Sequence, residues 1–253
     1  MKSSSWPRSF LSFVALAGVL TLLSGCDVKE LAKPRSAGPS DEDKEAREKQ
    51  KKIDRVSSLN NMKRIGLGMH NYASVNRRFP PAYVADKNGK PLLSWRVLIL
   101  PYVDQDNLFR EFHLDESWDS EHNKTLLAKM PNVYKALGST VVDQWKTNYL
   151  TVRGVDTIFS GKTPCTFGSI RDGTSNTVMT VEVSDARAVE WTRPDDIEFN
   201  PQNPVDGLVG LRENGFLIGV ADGSTRFVQL PKSPETLNAW FNKSDRKAVP
   251  ISD

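Results

Sequence analysis

The segment 40–81 constrains the fold more than any other part of the chain, because it predicts one long helix. Ser40 can cap the helix, and Asp43 stands three residues later, as in a capping box. At the other end, Pro80 and the proline after it stop the pattern. We therefore expect a helix from about Asp41 to about Asn76.

Only the second part of this helix has an apolar face. Residues 40–52 carry almost no apolar side chains and are expected to stand in solvent. After them, apolar residues recur at spacings of three and four, which predicts packing on a sheet; they are Ile53, Val56, Leu59, Met62, Ile65, Met69 and Tyr72. Gly66 and Gly68 weaken a helix but allow a close approach to neighbouring backbone.

The remainder of the chain predicts short strands with turns and few helices. A helix is expected after Ser94, and another after Asp119 or Ser120. Turn signals and apolar runs predict further elements: a hairpin turn at 86–89, strands at 177–183, 216–220 and 225–228, and a last helix from Ser233. A long helix followed by mostly antiparallel strands indicates the α+β class.

The first 26 residues predict export. Lys2 and Arg8 precede an apolar run of about fourteen residues, which is too short to span a bilayer but suits a signal peptide. The run ends in Leu-Ser-Gly-Cys, which resembles the bacterial lipobox. We therefore expect cleavage between Gly25 and Cys26 and a lipid, a diacylglycerol with palmitate-type chains, on the Cys26 thiol.

Composition and charge exclude some classes of function. Removing Lys2 and Arg8 from the 34 basic residues leaves 32 against 31 acidic ones, so the mature chain has no basic field for nucleic acid. If Cys26 is acylated, Cys165 has no partner in the chain, and it is expected to be a small buried apolar residue.

The densest polar cluster covers residues 113–122. His113, Asp115, Asp119 and His122 are candidate ligands for a divalent cation. Their spacing matches no established ligand pattern, and a capped helix start with solvated acids is the favoured interpretation. No metal or other cofactor is therefore expected, and these four residues stay weak candidates.

Two further motifs and one acid have both a functional and a structural interpretation. Residues 172–177, with Asp172, Gly173, Ser175 and Asn176, can bind a ligand or form a turn that bonds its own backbone. Asp222 and Gly223, which follow the predicted strand 216–220, can likewise bind a ligand or form a turn. Glu182 alternates with apolar residues and is a candidate acid–base group, but no partner is evident.

Six segments in order resemble the domain-of-unknown-function family 1559, which is abundant in planctomycete bacteria. The segments are SLNNMKRIGLGMHNY (58–72), RFPP (78–81), LSWRVLILPY (93–102), LDESWDS (114–120), DGTSNT (172–177) and ADGS (221–224). The resemblance covers about residues 53–243. It implies the fold of a type II secretion pseudopilin, with a helical spine on an antiparallel sheet.

The chain departs from this family pattern in its leader, in its long helix and at position 212. Its leader is a lipobox instead of a prepilin leader, and its long helix is polar in the first half, which argues against assembly through a buried apolar helix. The family's late motif is a histidine, nine residues and Asp-Gly. Here the histidine position holds Arg212, so any role that needs an imidazole is lost.

The expected organisation is a signal peptide (1–25), a flexible tether (26–39) and one α+β domain (40–253). The resemblance supplies no activity, and no nucleophile elbow, phosphate loop or dinucleotide fingerprint occurs in the sequence. The leading hypothesis is a non-enzymatic structural or interaction module, lipid-anchored on the membrane, facing the periplasm or the cell exterior, with envelope proteins as partners. The alternatives are a lipid-anchored solute-binding protein and a metal-dependent hydrolase built on the 113–122 cluster.

Overall fold

The computed structural model describes residues 38–251. The expected signal peptide, the expected lipidation site at Cys26 and most of the expected tether lie outside the described residues. The helices are α1 (Asp41–Asn76), α2 (Trp95–Leu98), α3 (Asp106–Phe109), α4 (Glu121–Thr125) and α5 (Pro234–Phe241). The strands are β1 (Tyr83–Ala85), β2 (Pro91–Ser94), β3 (Lys146–Thr147), β4 (Tyr149–Arg153), β5 (Val178–Glu182), β6 (Val189–Glu190), β7 (Ile197–Glu198), β8 (Gly215–Val220) and β9 (Thr225–Gln229).

The long helix has the predicted bounds, Asp41–Asn76. Acids fill its first turn, where they oppose the positive end of the helix dipole. The chain leaves the helix at Arg77, whose φ of 59° is left-handed and cannot continue a right-handed helix. At 1.5 Å per residue, 36 residues make a rod about 54 Å long.

The buried face of α1 differs from the predicted stripe in its first turns. Met62, Ile65 and Met69 are fully buried, as expected. Ile53 and Val56 are instead 46% and 55% exposed, so the prediction was wrong for these two. Ile53 precedes Met62 by nine residues, which is two and a half turns and places it on the opposite side of the helix.

Short capping and turn signals are confirmed by hydrogen bonds. The hydroxyls of Ser94, Ser120 and Ser233 cap α2, α4 and α5, each accepting from a backbone N–H two or three residues later. The carboxylate of Asp86 accepts from two backbone N–H groups in the turn between β1 and β2. Local side-chain chemistry therefore determines where these elements begin.

The main sheet has five strands in the order β7-β4-β5-β8-β9. The pairs β4–β5, β5–β8 and β8–β9 are antiparallel, and only the short edge strand β7 pairs with β4 in parallel. Two further two-stranded sheets, β1–β2 and β3–β6, are the other sheets among the described residues. The α+β class is confirmed.

Side chains that alternate along the strands divide the interior into two cores. Leu217 lies in the core shared with α1, whereas Phe216 and Ile218 lie in the core on the other face, with Trp240 of α5. The sheet is therefore covered by a helix on each face. Within residues 38–251, no helix combines the length and the apolar character needed to cross a membrane.

Candidate functional site

A buried ion pair joins two residues that the sequence singles out separately. Glu182 is the last residue of β5, and Arg212 lies on the loop before β8. The Nε and Nη2 groups of Arg212 donate to the two carboxylate oxygens of Glu182, both at 2.7 Å. The side chains are 8% and 1% exposed, so this bidentate pair is almost fully removed from water.

The long helix and a neighbouring loop complete the surroundings of the pair. Nη2 of Arg212 also lies 2.8 Å from the hydroxyl of Ser58 on α1 and 2.9 Å from the carbonyl oxygen of Leu137. The Ser58 hydroxyl accepts in addition from the backbone N–H of Leu137. Arg212 thus connects the sheet, the helix and the loop through one guanidinium group.

Burial and charge act in opposite directions on the two partners. Desolvation raises the pKa of Glu182, although the hydrogen bond and charge of Arg212 act to lower it. Desolvation acts to lower the pKa of Arg212, but the hydrogen bond and charge of Glu182 outweigh it, and the pKa is raised. Both carboxylate oxygens of Glu182 are occupied by Arg212, so Glu182 is not a free general base.

Tyr149 of β4 lies directly opposite Glu182 in the β4–β5 register. Burial, together with the charge of Glu182, raises the pKa of the Tyr149 phenol far above its ordinary value. Its hydroxyl lies 3.4 Å from the carbonyl oxygen of Lys135. The phenol is therefore neutral at physiological pH and serves as a buried structural group.

A groove of about 580 Å³ borders the pair. Its lining comes from the solvated half of α1 and from the ends of β8 and β9, and includes Glu48, Lys51, Lys52, Asp54, Arg55, Arg212, Glu213, Asn214 and Phe227. Lys51 bonds both Glu48 and Glu213. The guanidinium of Arg55 lies 4.8 Å from the centre of the Phe227 ring. We call this surface the α1 groove; it carries charges of both signs.

The candidate metal cluster does not converge on one point. The imidazoles of His113 and His122 stack face to face, with centroids 3.6 Å apart and planes 3° from parallel. His113 Nδ1 lies 2.8 Å from Glu116, and the Asp119 carboxylate accepts from Ser117. Within residues 38–251, no group of three or more histidine, cysteine or acidic side chains is arranged to hold a metal ion.

The 172–177 motif connects two distant parts of the chain. The Asp172 carboxylate is buried and accepts from the backbone N–H groups of Asp245 and Arg246, at 2.9 and 2.8 Å. The interpretation as a turn that bonds only its own backbone was therefore wrong for Asp172. Asn176 bonds within the motif, to the Asp172 carbonyl oxygen, and Ser175 is exposed. Gly173 has a φ of 93°, which favours glycine.

The second motif forms a turn on which α1 rests. The Asp222 carboxylate accepts from the Ser224 N–H inside its own turn, as one of the two interpretations predicts. A Cβ on Gly66 would lie 3.6 Å from the Cα of Gly223, so helix and turn are in close contact. His70 of α1 bonds the carbonyl oxygen of Ala221 at 2.9 Å. The close approach expected of Gly66 is confirmed.

Cys165 is buried, with 7% of its surface exposed, as expected for a small apolar residue. Its Sγ lies 3.0 Å from the Ser169 hydroxyl. Burial raises the pKa of the Cys165 thiol, which keeps it protonated and unreactive.

Residues 54–135 match the model of a family described as protein of unknown function (DUF1559). Over these residues, the chain is similar to the DUF1559 family. The match covers the second part of α1 and the elements up to the loop before β3. Neither the curated proteins nor the solved structures contain a match to this chain.

Two contributors to the Glu182–Arg212 site were missed from the sequence. Ser58 stands four residues before Met62, in phase with the buried face of α1, and a serine at an apolar helix position is a signal that a polar partner is near. The carbonyl oxygen of Leu137 carries no comparable signal, because any residue type supplies that group.

Proposed function

We propose that this protein is a non-enzymatic interaction module of the bacterial cell envelope, held on a membrane by lipid on Cys26. The observation that carries the proposal is the first part of α1. Residues 41–53 are exposed all along a regular helix. A segment of this kind is available to a partner protein without any change in the folded domain.

The polar half of α1 is maintained by local interactions instead of burial. Lys44 bonds Asp41 at 2.7 Å, and Gln50 bonds Asp54 at 2.8 Å, each within one turn. Ile53 and Val56 add exposed apolar surface beside these charges. Charged residues with a few apolar ones at three-residue spacing suit docking of another protein segment.

The anchor rests on the leader sequence. The short apolar run and the small residues Ser24 and Gly25 before Cys26 fit a lipoprotein signal. A mature lipoprotein carries two or three acyl chains, which is enough for stable attachment to a membrane.

The absence of a catalytic role is supported by the state of each acid–base candidate. Glu182 is occupied by Arg212, Tyr149 is buried and neutral, and His113 and His122 bond a carboxylate and a carbonyl oxygen. An acid–base catalyst has to reach a substrate proton directly or through one water. Each of these groups is already committed to a partner inside the fold.

Mass spectrometry of protein from native membranes tests the anchor. We expect the chain to begin at Cys26 with a diacylglycerol thioether. A bare thiol, or a chain that still carries residues 1–25, would overturn the anchored form of the proposal.

Photo-crosslinking tests the interaction. A crosslinking amino acid at Ile53, on the exposed helix, should capture a reproducible envelope protein in cells. The same amino acid at Lys124, exposed on α4 away from α1, is the matched control. Equal products from both positions, or none from Ile53, would reject this part of α1 as the contact surface.

A further inference from the structure

A second pocket lies at the contact between the loop before the 172–177 motif and the segment after α5. It has a volume of about 450 Å³ and is lined by Thr166, Gly168, Ser169, Arg171, Lys243, Ser244 and Arg246. Three of these seven residues are cationic, and none is acidic. We call it the basic pocket.

One wall of the basic pocket is formed by residues 166–171 and the other by residues 243–246. Hydrogen bonds to backbone groups join the two walls. The N–H groups of Arg171 and Asp172 donate to the carbonyl oxygen of Lys243, at 2.7 and 3.3 Å. In return, the buried carboxylate of Asp172 accepts from the N–H groups of Asp245 and Arg246. The backbone positions of the three cations are therefore held by four hydrogen bonds that cross between the walls.

The arginines of the pocket are not held in salt bridges among the described residues, and the adjacent Asp172 carboxylate bonds backbone N–H groups instead. Within residues 38–251, neither Arg171 nor Arg246 forms a salt bridge. The ammonium group of Lys243 donates to two carbonyl oxygens, those of Val155 and Thr157, which orient it without cancelling its charge. The carboxylate of Asp245, which is next to the pocket in sequence, accepts from the Lys247 N–H.

Arg246 is held in an unusual conformation for an arginine. Its φ is 65°, in the left-handed region that non-glycine residues rarely occupy. The hydrogen bond from its N–H to Asp172 fixes the backbone there. Residues held in such conformations are concentrated at ligand sites, where the surrounding structure imposes the geometry.

We propose that the basic pocket binds a tetrahedral oxyanion, a phosphate or sulfate group. Two guanidinium groups can each offer a pair of N–H donors to such an anion, and the lysine adds a point charge. The Ser244 hydroxyl supplies a further donor at the rim. The bound group can be a free ion or the phosphate of a larger molecule such as a glycerophosphate headgroup. This site is independent of the anchor and of the exposed part of α1.

Titration calorimetry on the full-length protein in neutral detergent tests the proposal, with inorganic phosphate, sulfate and glycerol phosphate as probes. We expect saturable binding that weakens as sodium chloride is added, because the contact is ionic. Tighter binding of glycerol phosphate than of inorganic phosphate would indicate the headgroup source, and the reverse order would indicate the free ion. No saturable binding of any of the three at millimolar concentration would overturn the site.

Substitutions locate the binding. Arg171→Gln with Arg246→Gln should weaken binding at least about tenfold. Arg47→Gln with Lys49→Gln, on the exposed part of α1, removes the same charge elsewhere and should leave the dissociation constant unchanged. All four side chains are exposed, so both double variants are expected to fold, which their thermal midpoints check. Equal weakening in both variants would show a general charge effect and no site.

Discussion

Arg212 and Glu182 form a bidentate salt bridge in which each carboxylate oxygen accepts one hydrogen bond of 2.7 Å. The pair lies where β5 ends, and it also bonds α1 through Ser58. At the position where the resemblance predicts a histidine, this chain has a cation that neutralises a buried acid. The position supports the fold instead of presenting an imidazole.

Removing one partner of the Glu182–Arg212 pair should destabilise the folded protein. Arg212→Met leaves the Glu182 carboxylate buried without a counter-charge, and we expect a loss of about 3 kcal/mol or more in the free energy of unfolding. Glu182→Leu combined with Arg212→Met removes both charges and should recover most of the loss. Urea unfolding of the two variants measures this, and a double variant as unstable as the single one would contradict it.

A second buried salt bridge joins Arg96 and Asp196, and its contribution to stability can be compared with that of an exposed salt bridge. Arg96 and Asp196 are fully buried, and the same Asp196 oxygen accepts from Trp95 Nε1 and from the Thr151 N–H. Asp196→Ala should therefore cost about 3–5 kcal/mol of unfolding free energy.

Asp106→Ala is the matched control for Asp196→Ala. It breaks the exposed pair with Arg110 and should change stability little, because water screens that pair. Comparable losses in urea unfolding for the two substitutions would contradict the argument from burial.

Asp185 should make stability depend on acid pH. Partial burial acts to raise the pKa of Asp185, but hydrogen bonds from Ser139, Thr140 and Asn148 outweigh it and lower the pKa to about 2. The folded pKa is thus below the unfolded value of about 3.9. The stabilisation is therefore present above the unfolded pKa and is lost as pH falls toward about 2.

Unfolding as a function of pH measures this contribution. Between pH values of about 5 and about 2, the wild-type protein should lose about 1 kcal/mol more than Asp185→Asn, a figure reduced for solvent screening. Asp143→Asn, at an exposed aspartate 42 positions earlier in the chain, serves as the control and should follow the wild-type curve. Identical slopes for Asp185→Asn and the wild type would exclude Asp185 as the source.

Local elements could be predicted from the sequence, whereas the contacts between them could not. The signals at Ser40 and at the prolines after Asn76 predicted both ends of α1, because each signal is read from one stretch of chain. The exposure of Ile53 was missed because the apolar residues from 53 to 62 recur every three residues, which is less than one helical turn. The stripe therefore winds around the helix, and Ile53 lies on the side opposite the buried Met62.

The candidate site was predictable in parts but not as a whole. Glu182 stood out as an acid among apolar strand residues, and Arg212 stood out against the family pattern. Thirty positions separate them, and only the pairing of β5 with β8 brings them together. Asp172 gives the same lesson, since its partners at 245 and 246 lie more than seventy positions further along the chain.

The two glycines of α1 differ in the space around them, which permits a sharp comparison. A Cβ on Gly66 would meet its nearest atoms at 3.6–3.7 Å, an ordinary contact. A Cβ on Gly68 would lie 2.7 Å from Cγ1 of the buried Val103, a stiff β-branched side chain that cannot easily turn away.

Gly66→Ala should therefore stabilise the protein and Gly68→Ala should destabilise it. Alanine is favoured over glycine within a helix by about 0.8–1 kcal/mol, and Gly66→Ala should gain most of this amount. In Gly68→Ala, overpacking costs typically 1–3 kcal/mol and outweighs the gain. Gly68→Ala combined with Val103→Ala removes the clash, and its stability should exceed that of Val103→Ala alone. Urea unfolding of the four variants measures these differences; if Gly68→Ala stabilises as much as Gly66→Ala, the close contact between α1 and Val103 does not exist in solution.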